Sequence, residues 1–103
     1  MNVLVTRWQA PLVPKKSQIF TWFAMEGLEP QEVEIKPDQA LKDLRRPFDE
    51  VIMVARGQLN LDIAGNKLLL REGDKIVIPS NTRHSKSVSG TEPCLYISAQ
   101  TSY

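Results

Sequence analysis

From Glu50 to His84 short apolar runs alternate with Gly, Pro, Asn and Asp at intervals too short for a stable helix, and this spacing constrains the fold more than any other feature. The runs at 50–55 (EVIMVA), 57–63 (GQLNLDI), 66–71 (NKLLLR) and 75–78 (KIVI) are rich in β-branched residues and leucine. Leu59, Leu61 and Ile63 alternate with Asn60 and Asp62, the period of a strand with one buried face. Gly65-Asn66 then offers residues that tolerate positive φ in a tight hairpin, Glu72-Gly73-Asp74 makes a further turn, and Pro79-Ser80-Asn81 interrupts the ladder. Further strands are expected at 17–25 (SQIFTWFAM), 31–36 (QEVEIK), 83–88 and 94–99 (CLYISA). Asp38 to Leu44 (DQALKDL) alone has helical composition, and Pro37 and Pro47 limit it to a turn or two. Seven or eight short strands so spaced predict an all-β sandwich or barrel.

At 103 residues the chain is expected to form one domain, which excludes a catalytic domain with a separate binding domain. Residues 1–16, with Pro11, Pro14, Lys15 and Lys16, read as an arm ahead of a domain at 17–103. Its Val3, Leu4, Val5 and Trp8 are expected to pair at an edge or with a partner subunit in a homodimer. Thirteen Lys and Arg against twelve Asp and Glu give a net charge of +1, so neither nucleic acid nor an anionic membrane is an expected partner. No apolar run approaches the roughly 18 residues of a transmembrane helix and no signal-peptide pattern opens the chain, so the expected address is the cytoplasm. The single cysteine, Cys94, excludes an internal disulfide and reads as a small hydrophobe within an apolar strand.

Gly73, Pro79 and His84 follow the spacing G-x5-P-x-G-x2-H, with Asn81 where glycine is usual and Val88 where asparagine is frequent; upstream, Glu50 and Gly57 keep an E-x6-G spacing. On these residues, over roughly residues 30 to 98, the chain resembles the cupin superfamily. The resemblance implies a jelly-roll β-barrel (double-stranded β-helix). It also implies a metal position inside the barrel, at which Glu50 and His84 are two of four ligands. The other two, histidines in the family, are here Leu44 and Arg46, or Asp43 and Arg45 with the longer spacer. Two protein ligands are fewer than the three of catalytic zinc sites. A guanidinium about 4 Å from a divalent ion costs about 8 kcal/mol at an effective dielectric near 20. No tightly bound metal cofactor is therefore expected; were one bound, Glu50, His84 and an inward-turned Asp43 would be its ligands.

Arg46, Phe48 and Glu50 share one face of an extended segment, so an Arg46–Glu50 ion pair is expected to replace the metal. The Arg46 fork also suits a carboxylate or phosphate. The expected function is binding of a small polar or anionic organic molecule by Arg46, Glu50 and His84, with Arg46 pointing outward as the alternative. His84, the only histidine, is the candidate catalytic base. The competing functions are a metal-dependent cupin oxygenase or isomerase with an irregular ligand set, a metal-free isomerase or lyase using His84, and a regulatory partner protein with a vestigial pocket. Phe20, Trp22 and Met25 read as strand core. The remaining basic residues, Lys86 among them, read as a solvated surface.

Overall fold

The computed structural model describes residues 3–88 and 90–101. Nine strands and one helix follow in the order β1 (Leu4–Thr6), α1 (Lys16–Met25), β2 (Gln31–Ile35), β3 (Ala40–Leu44), β4 (Asp49–Arg56), β5 (Leu59–Ile63), β6 (Asn66–Leu70), β7 (Lys75–Ile78), β8 (His84–Ser87) and β9 (Cys94–Thr101). They form a five-stranded sheet, β1-β7-β4-β9-β2, facing a four-stranded sheet, β3-β8-β5-β6, with every pairing antiparallel. This is the expected jelly roll.

Alternation sets the core. Leu59, Leu61 and Ile63 of β5 meet Ile52 and Val54 of β4 and Cys94 and Tyr96 of β9 between the sheets. The opposite face of the larger sheet is also apolar. Val51, Met53, Ile97 and Ala99 point away from the barrel and are covered by Ile19 and Phe23 of α1.

Residues 17–25, read above as a strand, are this helix. Ile19 and Phe23 are four residues apart and lie on one helical face, which buries both. Gln18 Oε1 accepts from the Lys15 backbone N–H at 2.8 Å and closes the first turn. Gly27, at φ 78°, ends the helix while Leu28 N–H returns to the Phe23 carbonyl at 3.0 Å. The segment 38–44 differs in the opposite sense. Its residues form β3 along β8, because so short an isolated helix cannot nucleate whereas the β8 edge supplies a ready ladder.

The arm pairs with its own chain, although Leu4 and Leu12 stay exposed. Leu4, Val5 and Thr6 pair with Val77, Ile76 and Lys75 of β7. Val3 and Val5 pack on the core, and the Trp8 ring stacks on Trp22 at 6.0 Å between centroids. Asp74, in the β6–β7 turn, holds the arm: its carboxylate accepts from Trp8 N–H at 2.9 Å, Arg71 N–H at 2.9 Å and Arg7 Nη1 at 2.8 Å. Gly73 lets Trp8 lie against that turn, since a Cβ there would sit 2.5 Å from Trp8 Cγ. No described helix is long and apolar enough to cross a membrane.

Candidate functional site

Three strands deliver polar side chains to one point inside the barrel. On β4, Glu50 shares the inner face with Ile52 and Val54, so its carboxylate is buried. On β8, His84 and Lys86 alternate inward with exposure of only 2% each. On β9, Tyr96 and Ser98 occupy the corresponding face.

Lys86 Nζ donates to Glu50 Oε2 at 2.9 Å and to Tyr96 Oη at 3.3 Å, and lies 5.1 Å from the centre of the Tyr96 ring. Ser98 Oγ donates to the same Oε2 at 2.8 Å. His84 Nδ1 lies 2.9 Å from the Thr82 carbonyl. A carbonyl only accepts, so Nδ1 carries a hydrogen, and in the neutral ring Nε2 is a lone pair. That lone pair faces Glu50 Oε1 at 3.7 Å, and among the described residues neither atom has a hydrogen-bond partner. Two facing acceptors repel, and a donor placed between them would satisfy both.

Burial raises the Glu50 carboxyl, but the His84 ring, the Lys86 ammonium and the Ser98 hydroxyl outweigh it and bring the group down to about 2. Burial pushes the Lys86 ammonium below the ordinary lysine value, Glu50 opposes this, and Arg46 adds to it. Burial, then the Glu50 charge, raises the Tyr96 phenol, which stays protonated. Burial also pushes the Cys94 thiol up to about 12, so it is inert.

The pair opens onto a cavity of about 390 Å³ whose walls include Arg46, Phe48, Glu50, Lys86, Tyr96 and Ser98. Arg46 is exposed at this mouth, and its carbonyl accepts from Asn81 N–H at 2.6 Å. Asn81, at φ 58°, takes the left-handed conformation that glycine supplies in the family motif, and so ties the turn before His84 to the Arg46 segment. The structure thus brings Arg46 and Glu50 to one cavity without the ion pair expected between them. Glu50 pairs with Lys86 instead. His84 reaches Glu50 but is not among the described residues lining the cavity. Asp43 stays exposed at a bulge in β3, at φ 55°. A larger cavity of about 1090 Å³ lies against the arm and the β6–β7 turn, away from this cluster, and the Asp74 anchor is in its wall.

Lys86, expected on the solvated surface, is buried at the centre of this cluster. The signal was local: in His-Ser-Lys-Ser-Val, residues 84, 86 and 88 share a face, so an inward His84 requires an inward Lys86. The same alternation joins Cys94, Tyr96 and Ser98.

A divalent ion fits this donor set poorly. Glu50 Oε1 and His84 Nε2 are its two candidate ligands, and among the described residues no group of three or more His, Cys, Asp or Glu converges anywhere. The Lys86 ammonium meanwhile lies 2.9 Å from the same carboxylate.

No curated protein matches the chain. Among solved structures it is similar to a cupin 2 domain-containing protein from Halorhodospira halophila, with 17% identity and TM-score 0.76 over 100% of this chain and 77% of that one. It is also similar to the DMSP lyase DddQ from Ruegeria pomeroyi, with 17% identity and TM-score 0.67 over 73% of this chain and 38% of that one. A third is the polyketide cyclase RemF from Streptomyces resistomycificus, with 20% identity and TM-score 0.64 over 71% and 54%. At these identities the likeness is one of fold. Residues 31–99, which carry β2 through most of β9 and every residue of the buried cluster, match the Cupin domain family, and the chain belongs to it.

Proposed function

We propose that this cupin is a binding module for a small polar or anionic organic molecule, held at the barrel mouth without a tightly bound metal. The observation that carries the reading is the position of Lys86: a buried ammonium neutralises Glu50 from inside the barrel and leaves Arg46 on the cavity wall with no carboxylate within ion-pair distance among the described residues. A free guanidinium beside a buried ammonium suits a ligand carboxylate, which Arg46 can hold bidentately. Gln31 and Gln100 add polar wall, while Val33, Leu41 and Phe48 add apolar surface for a short carbon chain. Glu29, exposed at the rim, disfavours anions that extend beyond the cavity. The lyase and cyclase names of two structural neighbours do not transfer at 17% and 20% identity.

The test is a titration of nitrogen-15-labelled protein with small mono- and dicarboxylates, followed by NMR. Binding is expected to perturb the Arg46, Lys86 and Tyr96 neighbourhood and to weaken about tenfold or more in Arg46→Ala, the loss of one charge-assisted contact. Perturbations confined to the arm groove, or binding indifferent to Arg46, would place the ligand elsewhere. We also propose that the protein is a homodimer, because Leu12 and Met25 are 82% and 79% exposed on the arm and helix side. Light scattering is expected to give twice the chain mass.

A further inference from the structure

Lys86 has more chemistry available than a structural ion pair needs. Among the described residues it is the one buried lysine, with 2% exposure; the others are exposed, apart from half-buried Lys75. A buried ion pair is replaceable by packed apolar residues at little or no loss of stability, so burying a strongly hydrated ammonium is weakly explained by folding alone. The amine ends at the wall of a cavity with Arg46, Glu50, Tyr96 and Ser98 around it.

We propose that Lys86 forms an imine with the ketone carbon of a small 2-oxo acid whose carboxylate is held by Arg46. This rests on the anion-pocket reading above and names its ligand class. The Lys86 Nζ lone pair, freed by proton transfer to the ketone oxygen, attacks the carbonyl carbon. The C–N bond forms as the C–O π bond breaks, giving a carbinolamine. A second nitrogen proton leaves with that oxygen as water, and a protonated C=N bond remains. Ammonium plus ketone therefore become iminium plus water, with no oxidant, reductant or net proton exchanged.

Two features suit that step. The nitrogen is cationic before and after, so Glu50, deprotonated and 2.9 Å away, pairs with reactant and product alike. Tyr96 Oη accepts from Nζ at 3.3 Å, and its own hydrogen remains available to the departing oxygen. A cavity of about 390 Å³ has room for a three- to five-carbon acid.

The experiment incubates the intact protein with sodium pyruvate and sodium cyanoborohydride and maps adducts by peptide mass spectrometry. The expected result is one reduced pyruvyl adduct per chain, on Lys86, reached at pyruvate concentrations that leave the exposed lysines unmodified. Lactate, which has the carboxylate but no ketone, is expected to compete and to form no adduct. Lys86→Arg, which keeps the cation, and Lys86→Met are each expected to abolish the adduct; mapping in the wild type decides the matter even if a variant fails to fold. Pyruvate and lactate that both perturb the cavity by NMR with no adduct on Lys86 would overturn the imine and keep the pocket. Adducts spread over surface lysines, with no perturbation of the cavity, would overturn both.

Discussion

Glu50 is the residue on which the interior depends, because its charge is buried and partnered from two strands at once, by Lys86 and His84 of β8 and Ser98 of β9. Removing the Lys86 cation strands that charge, so Lys86→Met is expected to destabilise the fold by about 3–5 kcal/mol in urea unfolding. The double variant Glu50→Leu/Lys86→Met is expected to recover most of the loss, since the apolar pair leaves no charge unpaired. The carboxyl is lowered from 4.5 to about 2, so between these values the unfolded chain binds more protons than the folded one. The stability that Glu50 contributes is therefore fully present above pH 4.5 and lost as pH falls through about 2. Melting temperatures of the wild type are expected to fall across that window, and those of Glu50→Gln to fall less.

At the scale of elements, turns and the arm hold the sheets in register. The β5–β6 hairpin turns on Ala64 and Gly65, at φ 50° and 84°, one residue earlier than the Gly65-Asn66 turn read from the sequence. Both central residues are left-handed, which favours Asn-Gly over Ala-Gly. Ala64→Asn is expected to stabilise the protein by about 1 kcal/mol, measured by denaturant midpoint at unchanged slope. Asp74 fixes the arm after β1 through Arg7 and Trp8 and closes its own turn through Arg71, and Asp74→Ala leaves two backbone N–H groups without their partner. That change is expected to cost about 2–3 kcal/mol and to speed hydrogen exchange in β1 before the rest of the sheet. Burial raises the Asp74 carboxyl, but the Arg71 and Trp8 amides and Arg7 lower it below 3.8 on balance, so this anchor also weakens as the solution is acidified below that value.

For the whole molecule, the jelly roll was legible because period-two alternation and turn residues recur from Glu50 onward, and one inner face per strand follows from them. The helix was not, since Ile19, Phe20, Trp22 and Phe23 suit an aromatic strand as well as a helical stripe, and the deciding signals, Gln18 at the start and Gly27 past the end, lie outside the apolar run. In the site, the inward positions of Glu50 and of His84 were legible from motif register. The identity of the counter-ion was not, because the extended face shared by Arg46, Phe48 and Glu50 is broken at Pro47 and β4 begins only at Asp49. We propose that Lys86, rather than a divalent metal, neutralises Glu50 inside the barrel. The most direct measurement is elemental analysis by mass spectrometry of protein purified without chelator or affinity metal. The expected result is well below one equivalent of Zn, Fe, Mn and Ni combined; a stoichiometric metal that is lost in His84→Ala or Glu50→Ala would contradict it.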